Sequence, residues 1–209
     1  MKKSFTIALL LLSAIFLIQC NNGEKGKRVF DENTIYCDAE SVSENGKNFL
    51  TNKKDVFISG GELISKEVSF SGESSIKLTT KSSTGFGFLL EDLKANEFIE
   101  IQVFRNSKGG KGGISLKSLE TDFTVEEFSS LGKKDENGWD LIVLKLRLPK
   151  SLNKMKNLKL LLWNQHSKTP VYFDDLVIIR HKTEPQLSFG NTPSIKIQLS
   201  SADYDSICV

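Results

Sequence analysis

Histidine occurs twice in the 209 residues, cysteine three times and proline four times. His166 and His181 stand apart from one another and from any cysteine, so neither a zinc cage nor a paired imidazole base is signalled. Cys20, Cys37 and Cys208 share no C-x-x-C spacing, which removes the usual redox and cysteine-metal motifs. No Gly-x-Ser-x-Gly elbow and no phosphate-binding glycine pattern is present. The run Gly109-Gly110-Lys111-Gly112-Gly113 has no helical pattern after it. A surplus of one charge is also missing: 28 Lys and Arg face 26 Asp and Glu, and that near-balance argues against nucleic acid as a partner. These absences point away from an enzyme.

The chain does have a secretory beginning. Lys2 and Lys3 precede an apolar run from Ile7 to Ile18 that is too short for a membrane-spanning helix and ends at Cys20. Leu17-Ile18-Gln19-Cys20 resembles a bacterial lipobox, in which the cysteine is acylated and becomes the new N-terminus. Residues 1–19 are therefore expected to be a lipoprotein signal peptide and residues 20–33 a polar tether. If Lys2 and Lys3 leave with the signal, the remaining charges cancel. Asn21 after the cysteine resembles lipoproteins sent to the outer membrane, so the expected location is the cell envelope, with Cys20 as the lipid anchor. In that oxidising compartment a Cys37–Cys208 bridge is permitted, but the sequence does not show that the two meet.

Beyond the tether, helical periodicity is nearly absent. Alternating or β-branched runs recur between Gly, Asn and Ser clusters, the pattern of an all-β sandwich over residues 34–182. Ten strands are predicted: 34–40, 62–70, 74–80, 85–90, 97–105, 112–119, 123–131, 139–148, 157–163 and 171–179. Asn137-Gly138 marks a tight turn before Trp139. Pro185 and Pro193 bracket a linker, and residues 183–209 are expected to hold this linker and a strand and helix tail, which reads either as a frayed edge element or as the start of a further domain.

Strand side chains alternate between two faces, so each run can be divided. Ile99, Ile101 and Val103 oppose Phe98, Glu100, Gln102 and Phe104. Leu158, Leu160 and Leu162 oppose Lys159, Leu161, Trp163 and Gln165. Ile142, Leu144, Leu146 and Leu148 oppose Leu141, Val143, Lys145 and Arg147. If the aliphatic faces make the core, the remaining faces combine aromatic rings with hydrogen-bonding side chains. That mixture suits a sugar, whose C–H face stacks on a ring while its hydroxyls seek planar polar groups. Trp163, Phe104, Gln102, Arg147 and Gln165 are the candidate carbohydrate-binding residues, expected together on one sheet face. The same aromatics would also serve to seal the edge of a sandwich.

Several stretches resemble the carbohydrate-binding modules attached to xylanases and laminarinases, which share a jelly-roll sandwich with the galactose-binding-domain-like superfamily. They are Cys37-Asp38-Ala39-Glu40, the run from Ser65 through Gly72 to Leu78, Gly138-Trp139, Leu162-Trp163-Asn164, and Val171-Tyr172-Phe173-Asp174-Asp175-Leu176. The similarity spans about Ile35 to Arg180. It implies a jelly roll that binds polysaccharide or oligosaccharide without catalysis, in company with other envelope proteins that process glycans. It also implies a structural calcium between the first and last strands, with Glu40 and Asp174 as its carboxylate ligands and Asp38 and Asp175 close enough in sequence to take their places.

Two functions of different class fit these residues: an envelope-anchored carbohydrate binder, and an adhesion or assembly β-sandwich without a glycan pocket. The anchor can be checked separately. The wild-type chain should take up a fatty-acid label and fractionate with membranes, and Cys20→Ser should do neither. Unchanged labelling and fractionation of that variant would contradict the lipobox reading.

Overall fold

The computed structural model describes residues 30–109, 111–150, 155–164 and 167–181. The signal run, Cys20, most of the tether, Gln165, His166 and the tail with Cys208 lie outside the described residues. Two antiparallel sheets pack face to face as a jelly-roll sandwich. The first sheet runs in the order β10 (Trp139–Arg147), β7 (Phe98–Ser107), β12 (Val171–His181), β5 (Ser75–Leu78) and β4 (Ile64–Ser65), and β1 (Thr34–Cys37) also pairs with β12. The second runs β2 (Asn48–Leu50), β3 (Phe57–Ser59), β6 (Thr84–Leu90), β11 (Leu158–Trp163), β8 (Gly113–Ser118) and β9 (Thr124–Glu127).

The aliphatic faces read from alternation are the ones that meet. Ile99, Ile101 and Val103 of β7 and Leu158, Leu160 and Leu162 of β11 are all fully buried in one core, with Ile142 and Leu144 of β10 beside them. Burial of each such side chain stabilises the fold by roughly 1.5–3 kcal/mol relative to its exposure. Cys37 joins this core as a free thiol, and burial pushes its pKa up to about 12, so it behaves as a small apolar side chain.

The strand predictions needed two changes. β2 and β3 were not foreseen, because each three-residue strand offers the core a single side chain, Phe49 or Ile58, and one residue shows no alternation. The predicted strand 62–70 instead forms a 3-10 turn at Gly61–Leu63, the two-residue β4, and then an irregular segment. That segment leads into the loop 70–74, whose amides bind carboxylates.

One inward residue of β7 is charged. Arg105 is 1% exposed and lies opposite Asp140 of β10. Its Nε donates to Asp140 Oδ1 at 2.9 Å and its Nη2 to Asp140 Oδ2 at 2.6 Å. Nη1 donates to the carbonyls of Gly112 at 2.6 Å and Phe128 at 3.0 Å, and Nη2 also reaches Ser130 Oγ at 3.0 Å. A guanidinium has five donors in a planar fork, and here they tie the first sheet to both ends of the β8–β9 hairpin in the second.

Candidate functional site

The expected site residues divide between the two outer surfaces of the sandwich. Gln102 and Phe104 stand on β7 and Arg147 on β10, so these three belong to the first sheet, whereas Trp163 stands on β11 in the second. The expectation that Phe104 and Trp163 share one sheet face is therefore corrected. Alternation separates the two faces of a strand, but it does not say which sheet the strand joins. Because the aliphatic faces of β7 and β11 point at each other across the core, their polar and aromatic faces point apart. Gln165 lies outside the described residues.

The outer surface of the first sheet is closed where Phe104 lies. Its ring is 8% exposed and stacks on Phe70 with centroids 3.6 Å apart, while Trp139 meets Phe70 edge-on at 5.8 Å. Gln102 donates to Glu100 Oε1 at 2.6 Å, and Lys145 approaches Glu100 Oε2 at 3.5 Å. Arg147 is exposed and stands opposite Phe98 at the far end of the sheet. Gln102, Glu100 and Lys145 are thus engaged with one another, and Phe104 is almost wholly covered.

The second sheet presents a different surface. Register places Trp163 between Thr84 of β6 and Gly113 of β8. Phe128 meets Trp163 edge-on at 5.5 Å, and a Cβ at Gly113 would fall 2.1 Å from the Phe128 ring, so that ring sits where a side chain at position 113 would project. Next along the sheet, Ser59, Leu161, Ser115 and Glu126 line up across β3, β11, β8 and β9. Gly87 is covered among them: Ser59 Oγ donates to its carbonyl at 3.0 Å, and a Cβ there would lie 2.4 Å from Ser59 Oγ and 3.3 Å from Leu161 Cδ2. A third row holds Leu50, Phe57 and Leu89 at 40%, 46% and 39% exposure, then Lys159 and Lys117. The face therefore offers an indole beside Thr84, a middle row of Ser59, Leu161 and Ser115, and an apolar rim.

Phe128, Phe57, Ser115 and Gly87 were not singled out from the sequence. Phe128 lay inside a predicted strand where it looked like any alternating residue. Phe57 lies in a strand too short to be seen, and a glycine on an outward face has no pattern of its own.

Glu40 and Asp174 are brought to one loop, residues 70–74. Glu40 Oε1 accepts from the amides of Glu73 at 2.8 Å and Ser74 at 2.9 Å. Asp174 Oδ2 accepts from those of Phe70 at 2.8 Å and Ser71 at 3.1 Å. Gly72 allows this closure: its φ is +61°, and a Cβ there would lie 2.1 Å from Glu40 Oε1. Asp174 occupies the irregularity of β12, where Asp175 has φ 51°, and Asp175 Oδ1 accepts from the hydroxyls of Tyr36 and Ser71. Burial, and then the neighbouring Asp175, push the Asp174 carboxyl up to about 8. No group of three or more His, Cys, Asp or Glu among the described residues converges as a metal site. Glu40 Oε1 and both oxygens of Asp174 already accept amide donors, and the raised Asp174 carboxyl is not a fixed negative charge at neutral pH, so Glu40 Oε2 is the oxygen of the pair that an ion would meet. Further ligands would have to be backbone carbonyls, which calcium accepts.

No protein-family model and no curated protein sequence matches the chain. Among solved structures it is similar to the CBM22-1 xylan-binding domain from Paenibacillus barcinonensis, at 14% identity over 72% of this chain and 96% of that one, with a TM-score of 0.45. It is also similar to the C-terminal family 22 carbohydrate binding module of a Clostridium thermocellum protein, at 11% identity over 74% and 99% of the two chains, TM-score 0.45. A stig cyclase from Fischerella sp. TAU matches at 13% identity over 75% and 89%, TM-score 0.40. At such identities and scores nothing about ligand or reaction follows for this chain.

Proposed function

We propose that this chain is a non-catalytic carbohydrate-binding lipoprotein, held at the bacterial envelope through Cys20, with its glycan on the outer face of the second sheet. The observation that carries the reading is the setting of Trp163. Its indole is half-buried, braced by Phe128, and flanked by Thr84 and the row of Ser59, Leu161 and Ser115. A sugar ring laid on this surface meets an aromatic edge for its C–H groups and hydroxyls for its own hydroxyls. The exposed row Leu50, Phe57 and Leu89 favours a second reading, contact with a partner protein in an adhesion or assembly role.

Retention of the full chain on xylan and laminarin gels separates the two. Trp163→Ala should weaken retention by about fivefold or more, since loss of a stacked aromatic commonly costs above about 1 kcal/mol. Gln102→Ala, on the opposite surface, should leave retention unchanged. A loss in Gln102→Ala with none in Trp163→Ala would move the site to the first sheet. Absence of wild-type retention on any glycan would favour the partner-protein reading.

A structural calcium held by Glu40 and Asp174 is part of the proposal. Calcium should raise the melting temperature and a chelator should lower it, because the ion binds only the folded arrangement. Asp174→Ala should melt lower than wild type and should no longer respond to either. If wild type is indifferent to both additions while Asp174→Ala still melts low, the two carboxylates act only as acceptors for the amides of loop 70–74.

A further inference from the structure

The net charge of the chain hides an uneven placement. Three connections lie at the Trp163 end of the sandwich: residues 79–83 between β5 and β6, 108–112 between β7 and β8, and 164–170 between β11 and β12. The register fixes this, because Trp163 pairs with Thr84 and Gly113 while Val171 pairs with Leu78 and Ser107. Hydrogen bonds interlock two of these loops: Asn164 N donates to Ser83 O at 2.8 Å, and Asn164 Nδ2 to Leu78 O at 3.3 Å. Gly112 packs against Val171 and the carbonyl of Trp163.

These three loops carry Lys81, Lys108, Lys111 and Lys168 and no Asp or Glu. All four lysines are exposed, and none forms an ion pair with a carboxylate among the described residues. A fourth connection at this end, residues 128–138, is balanced, with Lys133 and Lys134 against Asp135 and Glu136.

A second observation lies on the sheet itself. Lys159 of β11 and Lys117 of β8 are directly opposite in register, both exposed, and neither is paired with a carboxylate among the described residues. Like charges facing each other across a ladder destabilise it unless an anion lies between or above them. Glu126 is the acidic residue that faces outward on β9, Glu91 and Asp92 follow the end of β6, and the exposed Glu120 and Asp122 lie in the connection 119–123 beyond Lys117. The outer face therefore carries ammonium groups without carboxylates at the loop end and a lysine pair in its third row, with Trp163 and Leu161 between them, and its acidic residues lie beyond that row and on β9.

We propose that the glycan bound on this face is an acidic polysaccharide, one that carries uronate carboxylates or sulfate esters. Its sugar rings would lie along Trp163 and Leu161, and its anionic groups would be drawn to the lysines of the three loops and to the Lys117–Lys159 pair. The inference rests on the reading of the Trp163 face as a glycan site. Clustered charges of one sign beside a low-dielectric face concentrate ions of the other sign, and the effect weakens with salt.

The test measures affinity of the full chain for polygalacturonate, dextran sulfate, neutral xylan and laminarin, with duplex DNA as a non-glycan polyanion. At low salt at least one acidic polymer should bind about tenfold more tightly than the neutral ones, and this advantage should collapse between about 0.02 M and about 0.5 M salt. Preference for polygalacturonate identifies uronate as the group read, and preference for dextran sulfate identifies sulfate. Lys81→Gln/Lys111→Gln/Lys168→Gln should remove most of the acidic advantage and leave the melting temperature and neutral-glycan binding unchanged. Equal affinity for neutral and acidic polymers, with no effect of the lysine substitutions, would overturn the inference while the glycan site stands. DNA binding as tight as that of the best acidic glycan would overturn it as well, since charge alone would then account for retention. Failure to retain any glycan would overturn both the inference and the reading beneath it.

Discussion

The buried Arg105 guanidinium is the interaction on which the candidate face depends. It originates in the first sheet, is neutralised there by Asp140, and uses its remaining donors on the carbonyls of Gly112 and Phe128 at the two ends of the β8–β9 hairpin. Phe128 braces Trp163, and Gly112 leads directly into the strand beside it. The position of the indole on one surface is thus set by an ion pair anchored in the opposite sheet. Such a pair is costly to break from one side, about 3–5 kcal/mol, because the surviving partner is left charged in the core. An aliphatic residue at position 105 would pack well enough but would leave both carbonyls without their donor.

Much of the fold was legible because alternation is a local signal. Ile99, Ile101 and Val103, and likewise Leu158, Leu160 and Leu162, announce an inward face, and burial agrees for every one of them. Which sheet each strand joins is decided by pairing between distant segments. Phe104 and Trp163 were therefore expected together, although they lie on opposite surfaces. Arg105 was hidden for a related reason. An arginine at the end of a predicted strand reads as solvent-facing, and its burial follows only once Asp140 is found across the ladder. The glycines that shape the candidate face, Gly87 and Gly113, matter through the side chains around them, and those neighbours come from other strands.

Loop 70–74 shows a second way in which acidic residues organise this chain. Glu40 from the segment after β1 and Asp174 from β12 both accept backbone amides of the loop, and Asp175 accepts the hydroxyls of Tyr36 and Ser71. Acidic side chains are turned inward at this junction, whereas lysines remain outward on the loops around Trp163. A near-neutral total is compatible with a strongly polarised surface, and placement of charge is what a ligand meets.

The central claim is that a glycan is held on the surface that carries Trp163. The chain has two tryptophans, and they mark opposite surfaces: Trp163 is half-buried on the second sheet, and Trp139 is 3% exposed on the first. Two-dimensional NMR of the indole N–H resonances during titration with oligosaccharides cut from the best-retained polymer distinguishes them directly. The account expects the Trp163 resonance to shift in proportion to occupancy while that of Trp139 stays in place. A shift confined to Trp139, or movement of neither indole under saturating ligand, would contradict it.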